Sequence, residues 1–124
     1  MKRKVIMILS LIVLGITSFI LWDNQKVFVG NIEKDSDAYI LEFEKMNQTE
    51  SHSLNLTKDD VLSVEYQIDQ GQVDLVIGME KEKAIYTGND IDNGKFSVVV
   101  PKDGEYIMTI KAKNAKGTIK IYAK

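Results

Sequence analysis

Leu62-Ser63-Val64-Glu65-Tyr66-Gln67-Ile68 alternates apolar and polar side chains without a break. Neighbouring side chains of an extended chain point to opposite faces, so Leu62, Val64, Tyr66 and Ile68 share a buried face while Ser63, Glu65 and Gln67 meet water. The same period of two returns at Tyr39, Leu41 and Phe43, at Val73, Leu75, Ile77 and Met79, at Phe96, Val98 and Val100, and at Tyr106, Met108, Ile110 and Ala112. Ile119 with Ile121 repeats it, and Leu54 to Leu56 and Ala84 to Thr87 are shorter candidates. About eight strands are predicted. No stretch after Asp23 holds apolar residues at helical spacing for three turns, and β-branched and aromatic residues crowd the candidate strands.

Turn chemistry separates these runs. Gln70-Gly71-Gln72, Asp92-Asn93-Gly94, Pro101-Lys102-Asp103-Gly104 and Asn114-Ala115-Lys116-Gly117 carry the residues that tolerate positive φ or preset a turn. Three hairpins follow, and short antiparallel strands closely spaced in one domain predict two packed sheets. The fold class expected is all-β, an antiparallel sandwich over residues 38–124. Asp23 to Asp37 reads either as a spacer or as an added edge strand, depending on whether Val27, Phe28, Val29 and Ile32 find a surface to cover.

Upstream lies a different kind of sequence. Val5 to Trp22 is an almost unbroken apolar run behind Lys2, Arg3 and Lys4. As a helix it would reach about 27 Å, close to the hydrocarbon thickness of a bilayer. The basic residues hold the amino end in the cytoplasm, and Trp22 suits the far interface, so residues 1–22 are read as a signal-anchor with Val5 and Trp22 as its limits. The rest of the chain then lies outside the cytoplasm on a single-pass anchor. A cleaved signal peptide and a secreted product are the rival reading, with Gly15 and Thr17, or Ile16 and Ser18, as the small residues before a cut. The chain has no cysteine, so neither a lipid-bearing thiol nor a disulfide is available.

Charge is unevenly distributed. Asp23 to Val100 holds 16 acids and 7 lysines, whereas Pro101 to Lys124 holds 6 lysines and 2 acids. An acidic average speaks against nucleic acid, which needs a basic face to displace counterions. Lys111, Lys113, Lys116, Lys120 and Lys124 are candidates for a cationic patch toward anionic polymer or lipid headgroups, but are read here as lysines guarding a strand edge.

Three segments, Gln72-Val73-Asp74-Leu75-Val76-Ile77, Gly104-Glu105-Tyr106-Ile107-Met108-Thr109-Ile110 and Gly117-Thr118-Ile119-Lys120-Ile121, resemble strands of pre-peptidase C-terminal domains. Those are small jelly-roll-like sandwiches with an Asp-Leu strand, a Gly-x-Tyr strand and a closing Gly-Thr strand. The likeness covers Leu54 to Tyr122; a Golgi-dynamics-type sandwich has a similar rhythm, as do small anchored proteins of Gram-positive bacteria. It implies a jelly-roll-like accessory or binding module on exported machinery, without catalysis of its own. Gln72 stands where that family has an acid two places before the matched Asp74, which departs from its calcium cluster.

No catalytic residues and no cofactor are predicted. His52 is the sole imidazole, flanked by Ser51 and Ser53 that point to the opposite face of a strand, and is read as solvent-facing. One histidine and no cysteine cannot build the usual zinc site. Calcium is the better metal candidate, through Asp90, Asp92 and Asn93 beside Asn89, with Asp59 and Asp60 as a second acidic pair. Tyr86 and Tyr122 are the candidate stacking rings for a sugar, since Tyr39, Tyr66 and Tyr106 fall on the apolar side, with hydroxyls reaching the rim. The function expected is a non-catalytic extracytoplasmic interaction module with a protein partner at the cell surface. The alternative is a sandwich that binds cell-wall glycan or calcium.

Overall fold

The computed structural model describes residues 26–124, and the Val5 to Trp22 anchor lies outside the described residues. Seven strands follow in order: β1 Val27–Lys34, β2 Ala38–Asn47, β3 Thr49–Leu56, β4 Val61–Gly78, β5 Tyr86–Gly88, β6 Asn93–Val99 and β7 Gly104–Ala123. Every pairing is antiparallel. The all-β class stands; among the described residues there is no helix.

The count differs from the expected eight for a physical reason. Gln70-Gly71-Gln72 and Asn114 to Gly117 do not reverse the chain. They bend it, so β4 and β7 are single strands of 18 and 20 residues that stay paired from Leu62↔Ala123 to Gly78↔Ile107. Register shifts between Ile68 and Gln72 mark the corner. Gly71 takes φ +80°, and a β-carbon there would overlap the backbone of Asn114, so only glycine fits.

Two other ribbons bend at the same level. β2 and β3 meet at Gln48 and pair in turn with the two halves of β7. β5 and β6 meet at residues 89–92 and pair with the two halves of β4. The sheet is thereby folded across its middle into a sandwich. The first layer runs β1, β2, carboxyl half of β7, amino half of β4, β6; the second runs β3, amino half of β7, carboxyl half of β4, β5.

One core fills the space between the layers. Tyr39, Leu41, Val64, Ile119 and Ile121 come from the first, Leu54, Leu75, Ile77, Met108 and Ile110 from the second, all nearly or fully buried. The phase read from Leu62 to Ile68 is therefore the phase of the core, although Tyr66 is only half-buried. Val27–Lys34 pairs with β2 along its length and forms one edge of the first layer, with a bulge between Val29 and Gly30. Such a bulge, with Lys34 nearby, discourages pairing with another chain.

The two ends of the sandwich differ in kind. At the bend end the ribbons turn without leaving the sheet. At the open end lie the reversals and crossings: residues 35–37, 57–60, 79–85 and 100–103. Val27 pairs with Asn47, so the described chain begins at the bend end.

Candidate functional site

The predicted calcium loop is the crossing from β5 to β6. Asp90 sits in the left-handed region and its N–H donates to Asp74 Oδ1 at 2.7 Å, while the Ile91 N–H donates to Val73 O and Ile91 plugs into the core. The Asp92 carbonyl accepts from Ile68 N–H. These contacts tie the loop to the corner of β4. Asn93, the first residue of β6, pairs with Gln67. Among the described residues no three His, Cys, Asp or Glu side chains stand where they could share a metal ion.

Tyr86 and Tyr122 are not brought together. Tyr86 pairs with Ile77, a core residue, and so faces inward; its ring lies 4.7 Å from Phe96, and its hydroxyl is 3.2 Å from that of Tyr66. Burial first, then the Tyr66 hydrogen bond, raises its ionisation above the ordinary phenol value. Tyr122 has the opposite phase to the core residue Ile121 and stands on the outer face of the first layer, beside Ser63.

His52 corrects the expectation of a solvent-facing ring. It lies on the inward phase of β3, opposite Met108, half-buried, with its ring 5.2 Å from that of Tyr39 and Nε2 2.7 Å from Asp35 O. Glu50 sits two residues away in the same phase and pairs with Lys34 at 3.5 Å. The sequence signal was available: Glu50, His52, Leu54 and Leu56 share one phase, but two polar members hid it. The Tyr39 hydroxyl is buried and has no hydrogen-bond partner among the described residues, so it does not reach the rim as expected. Desolvation and then the nearby Glu50 charge push its ionisation upward. Tyr106 does reach the rim, donating its hydroxyl proton to Lys102 O at 2.7 Å.

Asp59 and Asp60 build the crossing from β3 to β4. Thr57 N–H donates to Asp60 Oδ2 at 2.8 Å, and Asp59 N–H to Val100 O. Among the described residues no hydrogen bond joins either carboxylate to His52, whose Nε2 instead meets Asp35 O.

The lysines of the carboxyl end do not guard an edge, because β7 lies between β2 and β4 in one layer and between β3 and β4 in the other. Lys120 stands opposite Glu65 on the first layer and Lys111 opposite Asp74 on the second, while Lys116 lies 3.8 Å from Glu44. Three of these lysines thus face carboxylates on neighbouring strands.

Two of the concavities among the described residues bear on binding. At the open end a groove of ≈ 360 Å³ is lined by Met79, Ile85, Pro101 and Tyr106, with Glu82, Lys83 and Lys102 at its rim. Met79 and Ile85 also pack on the core, so the groove floor is continuous with the interior. Lys102 Nζ meets Glu82 Oε1 at 2.6 Å, and that bond is the main reason the ammonium holds its proton more tightly than usual. Gly78 ends β4, Lys81 takes φ +63° to turn the chain, and Pro101 opens the crossing into β7. At the bend end a second groove of ≈ 420 Å³ is lined by Lys26, Lys111, Lys113, Gln48, Gln72 and Asp74, among others. Sequence reasoning missed both, since each joins residues from three or more distant segments.

Neither a protein-family model nor a curated protein sequence matches the chain. Solved structures do match in shape. Aeromonas hydrophila PliG, a periplasmic lysozyme inhibitor of g-type lysozyme, aligns at TM-score 0.52 and 11% identity over 76% of this chain and 92% of its own. A carbohydrate-binding module, CBM4, aligns at 0.40 and 8% identity over 79% of this chain and 80% of its own. A cupin domain from Bordetella pertussis aligns at 0.37 and 12% identity over 80% and 95%. The first shares the fold; the other two are too loose to carry an argument. No helix among the described residues is long and apolar enough to cross a membrane.

Proposed function

We propose that this is a non-catalytic extracytoplasmic accessory module, tethered to the cell membrane by Val5 to Trp22, that receives a protein partner at the open end of its sandwich. The observation that carries this reading is the direction of the chain. It joins the domain at the bend end, where Val27 meets Asn47, and the apolar groove of Met79, Ile85, Pro101 and Tyr106 lies at the opposite end. The 8 residues of β1 alone span about 26 Å. A tethered sandwich built this way holds its groove out from the bilayer, with an apolar floor for a side chain and Lys83, Glu82 and Lys102 to orient it. A sandwich of the same fold is named as an inhibitor of a lysozyme, a protein partner outside the cytoplasm, which supports the class of role without naming the partner. The resemblance to pre-peptidase C-terminal domains and to small Gram-positive anchored proteins points the same way. The glycan alternative rests on Tyr122 as its one ring on an outer face, since Tyr86 faces inward.

The test is site-specific photo-crosslinking in cells carrying the full chain. Full-length protein is expected in the membrane fraction, with a discrete protein adduct from a probe at Lys83 and none from a probe at Lys95. Ile85→Arg should abolish the adduct while costing about 1 to 3 kcal/mol in unfolding, since Ile85 also packs on the core, and the variant should still unfold cooperatively. Recovery of a shorter soluble form alone would defeat the anchor, and adducts indifferent to Ile85→Arg would defeat the groove.

A further inference from the structure

We infer that the bend-end groove is an anion site that docks on the phosphate headgroups of anionic lipids beside the tether. This rests on the anchored reading above. Lys26, Lys111 and Lys113 line one groove although they come from β7 and from the approach to β1. None of the three forms an ion pair among the described residues, where the pairs are Lys34 with Glu50, Lys102 with Glu82 and Lys116 with Glu44. The one carboxylate in the lining, Asp74, accepts the Asp90 N–H at 2.7 Å. Three ammonium groups stand against one carboxylate, Asp74, which faces Lys111 across the strands and keeps its charge while accepting the Asp90 N–H, so the lining carries an excess of two positive charges in a domain whose average charge is acidic. Gln72 adds a side-chain amide, a neutral donor to a phosphate oxygen, whereas the Gln48 amide already donates to Glu50 Oε1 at 2.7 Å.

Chain length brings this groove to the membrane. Four residue steps separate Trp22 from Lys26, a reach of at most about 14 Å even when fully extended. With Trp22 at the interface, Lys26 stands within about one or two Debye lengths of the headgroups, and its side chain shortens the gap further. The bend end is also graded in charge. Lys26, Lys111 and Lys113 lie on its β1 and β7 side, whereas Asp69, Asp90 and Asp92 lie on the β4 and β5-to-β6 side. An anionic surface attracts the first and repels the second. The domain therefore leans with its β1 and β7 flank toward the lipid, rather than swinging freely on its tether.

The experiment reconstitutes the full chain in vesicles of phosphatidylcholine, or of phosphatidylcholine with about a third phosphatidylglycerol, and reads amine labelling by mass spectrometry. After flotation, labelling at Lys26, Lys111 and Lys113 should fall about threefold in the anionic vesicles relative to the neutral ones, with recovery in high salt, while Lys81 at the open end stays constant. The double variant K111Q/K113Q should lose the protection of Lys26. Equal labelling of a floated chain in both vesicles overturns the groove and leaves the anchor intact. A chain that fails to float removes the anchor, and this inference with it. Protection in neutral vesicles by inorganic phosphate at the same concentration would assign the groove to a soluble anion and overturn the lipid assignment.

Discussion

The bend end and the open end of this sandwich are built from similar residues put to opposite uses. At the bend, Gly71, Asn114 and Gly117 let paired strands turn together without breaking their ladder. At the open end, Asp59, Lys81, Pro101 and Gly104 let the chain cross between layers or reverse, with backbone groups satisfied by short local bonds such as Thr57 N–H to Asp60 and Lys58 N–H to Asp103. One end has little freedom because each ribbon is held by its neighbours, and the other has the freedom of a loop. On the anchored reading proposed above, a binding surface of changeable shape belongs at the second, and a fixed approach to the tether at the first.

The largest test of that contrast is Gly71→Val. A branched side chain at φ +80° would meet the Asn114 backbone, and a loss of about 3 kcal/mol or more in chemical unfolding is expected. A loss as small as that of a loop variant would mean the bend is as adaptable as the open end. The matching change there, Asp60→Ala, removes the acceptor for Thr57 N–H at an exposed position and should cost about 1 kcal/mol. Between the ends, Tyr39→Phe removes a buried hydroxyl without a described partner, and a gain of about 1 kcal/mol is expected. A loss would show that the hydroxyl is satisfied and that the inner flank near His52 is wetter than its geometry suggests.

The gentlest effect is on the alkaline side. Tyr39 and Tyr86 ionise above the ordinary phenol value of about 10 in the folded protein, burial being the main cause for both. The unfolded chain gives up these protons first, so their contribution is fully present below pH 10 and is lost progressively as pH rises beyond it. An unfolding midpoint followed against pH, with tyrosinate absorbance read in parallel, should fall above about pH 10. In Tyr39→Phe the fall should be shallower; an unchanged slope would remove Tyr39 from the account.

Much of the fold was legible in the chain because a period of two is a local signal. Tyr39 and Leu41, Val73 to Ile77, and Tyr106 to Ile110 face inward as their alternation requires. Where alternation carried polar residues on the inward phase, as at Glu50 and His52, the pattern was unreadable, since an edge strand half-covered by its neighbours tolerates both kinds. The turn at Gln70 to Gln72 was misread for a related reason. A glycine that permits positive φ serves a hairpin and a corner equally well, and only the register across β4 and β7 distinguishes them.

By itself the sequence determined that strands form, which of their faces is apolar, and that a stretch long enough to span a bilayer precedes them. These follow from side-chain period and from the length of an apolar run, properties carried by neighbours in the chain. Tertiary structure alone decided that β7 is central rather than an edge, that its lysines face both outer surfaces, and that Lys26 joins Lys111 and Lys113 in one groove. Charges far apart in sequence acquire a common environment only when pairing and bending fix their distances, and nothing in the local pattern encodes those distances.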